Sequence, residues 1–498
     1  MKRRDFVKTI GLGTAAMAMP NFMCSNTSSK KPNIIYILAD DLGYGELGCY
    51  GQKKIRTPNL DKLAAEGMRF TQHYSGSPVC APSRCTLLTG KHTGHAYIRD
   101  NDEMRERGDV WHDPNLEGQR PLPQGTVTIG TLMQKAEYKT GAIGKWGLGW
   151  TGSTGDPNKQ GFDLFYGYTC QRVAHNYYPT HIWKNDKKEM LAGNEYFSPH
   201  QKLPKDKDPN DPKSYDQYKG KSYSMDFLAK EALNFIRENK DRPFFLYLPF
   251  TVPHVALQVP DDSLNEYDGA FPEMPYKGEK GYLPQQKPKA AYAAMITRMD
   301  REIGRIMKLL GELGLDENTL VIFTSDNGAT FGGFGGTDTK FFQSNGPLRG
   351  FKQDVYEGGV RVPMIARWKG KIEDRSTTDH ISAFWDIMPT LAELVGENTP
   401  ENIDGISFMP MLLGKAEKQK KHKYLYWEYN RRKQAVRMGD WKAVRLSPQK
   451  EIELYNLKSD IGEKNNVAGE YPEIVAKMKK IMKEGRTESE FFPFKWDE

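Results

Sequence analysis

The chain is poor in three things that would otherwise direct its reading: cysteine, long apolar runs and net charge. Five cysteines in 498 residues are too few to staple a disulfide scaffold. With 38% hydrophobic and 11% aromatic residues, the chain has the apolar content of a globular, enzyme-sized body, one large domain or a large one plus a small one, which excludes collagenous and disordered classes. Beyond the N-terminus no stretch approaches the roughly 20 apolar residues of a bilayer helix, so a membrane span is excluded. The formal charge of +7 shrinks on inspection, because Lys2, Arg3, Arg4 and Lys8 stand against Asp5 in residues 1–29 and leave 67 basic against 63 acidic residues elsewhere. That balance lacks the concentrated basic face with aromatic platforms that nucleic acid calls for. No internal repeat is evident.

What is there begins with an address. Residues 1–29 have a basic start, a short apolar run and then small polar residues, the layout of an export signal and too short to span a bilayer stably. Arg3-Arg4-Asp5-Phe6-Val7-Lys8 resembles a twin-arginine signal, with an ordinary secretory signal as the alternative. Cys24 is a candidate lipid-attachment residue, disfavoured by Phe22 and Met23 before it. The expected location is periplasmic or extracellular, where Cys49, Cys80, Cys85 and Cys170 would be free to pair.

Several apolar runs end in polar residues. Asn33 to Leu38, Pro243 to Phe250 and Thr319 to Thr324 read as buried strands, running into Asp40-Asp41, Pro253-His254 and Asp326-Asn327. Met225, Leu228, Ala232 and Phe235 recur at helical spacing, as do Met295, Met299, Ile303, Ile306 and Leu310. Strand and helix in alternation predict an α/β fold, a mostly parallel central sheet with helices on both faces. Ligands of such sheets gather beyond the carboxyl ends of the strands, where these Asp, Asn and His residues fall. Pro199 to Ser222 has no period and reads as a long loop near the rim of a site. Gly332 to Gly336 is a flexible loop rather than a dinucleotide motif, since it follows Asp326-Asn327 instead of joining strand to helix. From residue 420 the composition shifts: Tyr424 to Tyr429, Trp441 to Leu446 and Glu451 to Tyr455 read as short strands and Tyr471 to Met482 as a closing helix. The expected organisation is therefore an export signal over 1–29, a catalytic domain over 30–419, and over 420–498 a small α+β subdomain, an antiparallel sheet with a helix.

The sharpest signal is Cys80-Ala81-Pro82-Ser83-Arg84, followed by Leu88-Thr89-Gly90. Pro82 suits the first position of a helix, which puts Cys80 just before the helix N-terminus, where free N–H groups favour an anion. A lone cysteine there reads as a small buried thiol. This one stands within a set: Asp40, Asp41, Asp326 and Asn327 offer only oxygen ligands, suited to a hard cation, Ca²⁺ before Mg²⁺, and three carboxylates brought together need such a cation to relieve their repulsion. Arg84, Lys145 and Lys352 bring the opposite charge, enough to neutralise a bound anionic ester and its leaving oxygen.

Residues 80–90 match the Cys-x-Pro-Ser-Arg pattern, with its following Thr-Gly, of the type I sulfatases, and the chain resembles that family, within the alkaline-phosphatase-like superfamily, over more than three hundred residues. Asp40-Asp41 and Asp326-Asn327 look like its two metal pairs, Gly144-Lys145-Trp146 like its sulfate-binding lysine motif, and His254 and Lys352, ahead of Glu357 to Pro363, match the remaining active-site positions. Thr57 to Asp61 and Asp386 to Leu391 are family-like and structural. The resemblance implies that Cys80 is oxidised by a formylglycine-generating maturation enzyme to an aldehyde. One hydroxyl of its hydrate attacks sulfur, with Cys80 also among the metal ligands, His254 protonates the departing alcohol, and the second hydroxyl then expels sulfate. The sequence departs from the family at Gly147, where many members carry a histidine that helps the aldehyde hydrate. His92 and His95 are possible substitutes.

The expected activity is hydrolysis of sulfate monoesters, most readily on a carbohydrate of galactose or N-acetylgalactosamine type. His95, His175 and Arg349 are candidate substrate contacts, His175 lying in an aromatic, donor-rich segment from Gln171 to Tyr178. Open beside this reading are a broad arylsulfatase, a phosphoryl-transfer relative, disfavoured by the absence of its histidine-rich zinc sites, and a non-catalytic sulfated-glycan binder with Cys80 unmodified.

Overall fold

The computed structural model describes residues 31–109, 113 and 115–495. The export signal over 1–29 and Cys24 lie outside the described residues. The strands in chain order are β1 (Asn33–Ala39), β2 (Met68–Tyr74), β3 (Lys139–Lys145), β4 (Leu164–Tyr168), β5 (His181–Lys184), β6 (Lys187–Met190), β7 (Phe244–Pro249), β8 (Thr319–Ser325), β9 (Arg361–Arg367), β10 (Ser376–Thr378), β11 (Ser382–Ala383), β12 (Leu425–Tyr429), β13 (Lys433–Met438), β14 (Trp441–Arg445) and β15 (Glu453–Asn456). The first eleven make one sheet in the order β10-β2-β9-β8-β1-β7-β3-β4-β5-β6, with β11 beside β2. Its centre, β8-β1-β7-β3-β4, is parallel throughout, while β9 runs antiparallel to β8 and β2, and β5 and β6 continue the other side antiparallel.

Both faces of β1 are covered, as its unbroken apolar run requires. Ile35 and Ile37 pack with Leu60 and Leu63 of the helix Pro58–Ala65, Met225, Leu228 and Ala232 of Ser224–Glu238, and Met295, Met299 and Ile303 of Pro288–Glu312. Ile34, Tyr36 and Leu38 face Ala81, Cys85 and Leu88 of Cys80–Thr89, Leu132 of Ile129–Lys135 and Met388 of Ile387–Val395. The fold is thus the expected mostly parallel sheet between two helical layers, with a separate antiparallel sheet β12-β13-β14-β15 and the helix Pro472–Glu484.

The sequence reading did not identify β2 to β6, β9 to β11 or β13; for β9 and β13 the reasons are identifiable. The run of β9 is interrupted by Pro363, which lacks an N–H for a ladder; the register with β2 shifts between Phe70 and His73, opposite Met364 and Val362, so Pro363 sits at the bulge that tolerates it. In β13, Lys433, Gln434 and Arg437 disguise a strand whose polar groups are buried and bonded: Gln434 Nε2 donates to Tyr426 Oη and to Met482 O, and Arg437 pairs with Tyr74 and Gln72. The C-terminal sheet therefore has four strands where three were expected. The rim loop Pro199 to Ser222 includes a 3-10 helix, Pro212–Tyr218.

The C-terminal sheet is fastened to the main one by an apolar seam and a buried charge cluster. Leu425, Trp427 and Val444 pack on Tyr74, Val355, Val360 and Trp385. Lys442, fully buried, donates to Glu357 at 2.8 Å and lies 3.3 Å from Glu463, while Glu357 also accepts from Tyr74 Oη (2.7 Å) and Arg361 (3.1 Å). Burial would raise the Glu357 carboxyl, but Lys442 and Arg361 outweigh it and hold it well below the usual range, whereas burial pushes Glu463 up to about 7. Removing one partner of such a cluster strands the others without water. Lys442→Met should cost about 3–5 kcal/mol of unfolding free energy by denaturant titration, and a loss below about 1 kcal/mol would reduce the cluster to the rank of a surface pair.

Candidate active site

Register brings the site together. Ala39 of β1 lies opposite Ser325 of β8, so the next residue of each parallel strand emerges at the same level: Asp326 N donates to Ala39 O (3.0 Å), and Asp41 N donates to Asp326 Oδ1 (3.1 Å). On the other side β7 pairs Pro249 with Leu38, and Asp40 N donates to Val252 O (3.0 Å), placing His254 beside the same strand end. Two strands from β1, β3 closes on Lys145. Four neighbouring strands thus deliver their functional residues to one edge.

Into this edge points the helix Cys80–Thr89. Cys80 is its first residue, after Val79, rather than the residue before it, and Pro82 is third; the first-turn N–H groups have no partners within a helix, so a proline costs nothing there. The Cys80 thiol lies 3.6 Å from Asp40 Oδ1, 3.5 Å from Lys145 Nζ and 3.6 Å from Lys352 Nζ. Lys145 Nζ donates to Asp40 Oδ2 (2.6 Å) and Lys352 Nζ to Asp41 Oδ2 (2.8 Å). Arg84 Nη2 meets both Asp326 (2.9 Å) and Asp40 (3.4 Å), and its Nη1 donates to Lys145 O. Ser83 Oγ donates to Asp326 O (2.6 Å). Cys80, Arg84, Lys145, Lys352, Asp40, Asp41, Asp326, Asn327 and His254 are all buried together.

The charges follow from that burial. Desolvation raises the Asp40 and Asp41 carboxyls, but Lys145 and Arg84 around Asp40, and Lys352 and His254 around Asp41, outweigh it and hold both low. Asp326 is pushed up to about 7 by burial and by Asp40, with Arg84 only partly compensating. Burial pushes the Cys80 thiol up to about 12 despite the two lysines, so as a thiol it is protonated and a poor nucleophile at neutral pH. His254 and His175 are both driven well below the ordinary imidazole value, by burial and then by Lys352 and His254 respectively.

A divalent cation fits this donor set. Asp40, Asp41, Cys80 and His254 each place a ligand-capable atom within 4.8 Å of the others. Asn327 Nδ2 donates to Asp41 Oδ1 (2.8 Å), turning its amide oxygen the other way, and that Oδ1 is buried without a hydrogen-bond partner. A buried acceptor left unpaired next to crowded carboxylates is what a hard cation satisfies.

The candidate substrate contacts separate. The His175 ring stacks on His254 (centroids 4.7 Å apart, 12° between planes) and meets His200 and Tyr282, so the loop from Pro199 does reach the rim. Tyr177 and Tyr178 are buried in the core. His95 lies past the far end of the helix from Cys80, with Nδ1 on Asp404 Oδ1 at 2.9 Å and its ring stacked on His92, which meets the same carboxylate. Neither histidine is brought to Gly147. Gly147 has a left-handed φ of +78°, and a side chain there would run into Gln171, whose Nε2 stands 2.8 Å from the Cβ position. Arg349 is held on the seam with the C-terminal sheet, donating to Tyr455 Oη (2.9 Å) and Glu463 O (2.8 Å). Cys49, Cys80, Cys85 and Cys170 are all unpaired thiols.

The geometry defines a hydrolase-like site at one edge of the sheet, with basic side chains suited to an anionic ester beside a group of carboxylates suited to a cation. The sulfatase family model matches residues 32–397, and the model for the C-terminal region of N-sulphoglucosamine sulphohydrolase matches 350–488. The chain belongs to the sulfatase family and is a sulfuric ester hydrolase. It is similar to the steryl-sulfatase of Rattus norvegicus (31% identity, covering 86% of this chain and 79% of that protein) and to the N-acetylgalactosamine-6-O-sulfatase of Bacteroides thetaiotaomicron (30%, covering 92% and 94%). A solved structure of Ps i-CgsB in complex with k-i-k-neocarrahexaose aligns with a TM-score of 0.71 at 27% identity, covering 92% of this chain and 93% of that one.

The sequence reading missed Thr330, whose Oγ1 donates to Asp41 Oδ2 at 2.6 Å; only its place three residues after Asn327 hinted at it. Its hydroxyl fixes the carboxylate without binding a metal itself. Thr330→Val should lower apparent affinity for calcium or magnesium by roughly 10- to 100-fold, read as the metal concentration needed to raise Tm. An unchanged metal titration would remove Thr330 from the site.

Proposed function

We propose that the chain is an exported carbohydrate sulfatase whose nucleophile is made from Cys80 and whose metal is Ca²⁺, held by Asp40, Asp41, Asp326 and Asn327, with residue 80 completing the shell. The observation that carries this reading is the position of Cys80, first in its helix and between Lys145, Lys352 and Asp40. The match of Cys80-Ala81-Pro82-Ser83-Arg84 to the sulfatase motif supports its conversion to formylglycine by a maturation enzyme. When present, the hydrated aldehyde supplies an oxygen nucleophile for sulfur and the cation withdraws charge from the sulfate oxygens.

The chain's own residues do the rest. Lys145 and Lys352 neutralise the bound ester, and Arg84 holds Asp326 and Asp40 in place behind the nucleophile. His254 Nδ1 donates to Val255 O (2.5 Å), which turns Nε2 into the site. As the S–O bond to the sugar breaks, the electron pair stays on the leaving oxygen; the negative charge of the bound ester offsets the burial and the Lys352 charge that keep His254 neutral, so the ring takes a second proton at Nε2 and passes it to that oxygen. Burial excludes water from these contacts. A galactose or N-acetylgalactosamine-type sugar is supported by the named activity of the Bacteroides relative. The twin-arginine-like start supports export, and among the described residues no helix is long and apolar enough to cross a membrane. A catalytic domain over 30–419 and a subdomain over 420–498 agree with the seam between the two sheets.

Mass spectrometry of the peptide containing residue 80 should show loss of H₂S and gain of oxygen, and Cys80→Ala should abolish sulfate release; turnover by that variant would overturn the nucleophile and favour a different site. His254→Ala should lower kcat/KM for a sulfated sugar by roughly 10²- to 10⁴-fold, with a much smaller loss on nitrophenyl sulfate, whose leaving group needs no proton. Equal losses on the two esters would reduce His254 to a sulfate contact.

A further inference from the structure

A buried cation near the site has no counter-charge among the described residues. Arg172 is 2% exposed, follows β4 and Gln171, and enters the 3-10 turn that carries His175: His175 N donates to Arg172 O at 3.1 Å. Among the described residues its side chain makes one hydrogen bond, from Nη2 to Leu116 O (3.1 Å), and its Nε is buried without an acceptor. No carboxylate among the described residues lies within ion-pair distance of it. Glu117, next to Leu116, is committed elsewhere: Oε1 to His181 (2.9 Å) and Lys188 (3.3 Å), Oε2 to Trp183 (2.8 Å) and Thr169 (3.5 Å).

A guanidinium stays charged in a protein, and an unpaired buried charge costs several kcal/mol. Of the other buried arginines, Arg84 has two aspartates and Arg361 has Glu357, while Arg437 has the neutral Tyr74 and Gln72 for its guanidinium nitrogens. Arg172 instead lines a small cavity with Asn176, Thr180, His181 and the exposed Tyr196. The cavity, of about 40 Å³, holds a functional group rather than a sugar ring, and its remaining walls, Val173, Pro179, Phe197 and Pro199, are apolar. One turn further along the chain, the His175 ring lies on His254.

We infer that Arg172 is the centre of an oxyanion subsite that receives a second acidic group, a carboxylate or another sulfate ester, on the glycan whose sulfate is cleaved. This rests on the carbohydrate reading above. The substrate class it selects is a sulfated glycan with more than one anionic group, and the fork of the guanidinium suits a planar or tetrahedral oxyanion equally.

The test compares wild type and Arg172→Gln on four esters: nitrophenyl sulfate, a monosulfated N-acetylgalactosamine, the same sugar joined to glucuronate, and its disulfated form. The variant should keep kcat/KM within about twofold on the first two and lose tenfold or more on the glucuronate-containing or the disulfated substrate; which of these falls identifies carboxylate or sulfate. Equal losses on all four, or none on either doubly charged substrate, would overturn the subsite. Glucuronate and inorganic sulfate, added separately to the intact protein, give a readout independent of turnover: at least one should raise the Tm of wild type more than that of Arg172→Gln. If no sugar ester is hydrolysed while nitrophenyl sulfate is, and the Arg172-dependent Tm shift persists, the carbohydrate reading fails and the subsite stands. Equal Tm shifts in both proteins count against the subsite. Arg172→Met serves as the fold control: relieved of an unpaired buried charge, it should unfold no more easily than wild type without ligand, and a large destabilisation would make Arg172 structural.

Discussion

Three carboxylates and three basic side chains share one dry volume at the ends of four strands, and their mutual placement constrains everything around them. Asp40 faces Lys145 and Arg84, Asp41 faces Lys352, and Asp326 shares Arg84 with Asp40. Away from water each of these charges costs several kcal/mol unless its partner is held at hydrogen-bond distance. A shift of β8 against β1 by one residue would separate Asp326 from Asp40 and strand a charge on either side. The parallel register between Ala39 and Ser325 is therefore as much a part of the site as the carboxylates are. With the protein's own groups alone the balance is incomplete: Asp326 is pushed up to about 7 and the Asn327 amide oxygen has no partner, and both point to a cation as the missing member.

The same economy of charge ties the C-terminal sheet to the catalytic one. Glu357 opens the short helix Glu357–Val360 that leads into β9, and Lys442 of β14 reaches across the seam to it. Arg349 lies on this seam and not against Cys80. The loop 343–356 that carries both Arg349 and Lys352 is thus gripped from one side by the C-terminal sheet, through Tyr455 and Glu463, and from the other by Asp41. A sheet remote from the chemistry helps position a lysine within it.

On the substrate side the wall is built from rings and donors rather than from acids. His254, His175, Tyr282 and Phe334 follow one another in edge and stacked contacts, and the segment at Gln171 and Arg172 supplies unspent donors. Gly147 leaves the space that Gln171 occupies, so the departure from the family pattern at that position is a change of partner within the wall and not a vacancy.

How far the site could be read from residues alone depended on whether its parts lie close along the chain. Cys80 to Gly90, the acidic pairs after apolar runs, Lys145 and Lys352 were legible because each is a short local pattern, and strands that end in ligands belong to an open parallel sheet. Apolar patterning likewise revealed the helices Ser224–Glu238 and Pro288–Glu312 and the strands β1, β7 and β8, but not β3 or β4. By contrast, β13 and β9 were hidden, since buried polar side chains and a proline at a bulge look like surface and breaker until their partners are known. Distance in space, which the chain order does not carry, decided the rest: His95 falls to Asp404, Arg349 to the seam, Tyr177 and Tyr178 to the core, and Thr330 to Asp41. The local patterns determined the chemistry and the class of fold, because short-range preferences act within a few residues. Only tertiary packing decided which charges are paired, because pairing depends on strand register and on burial that no single segment sets by itself.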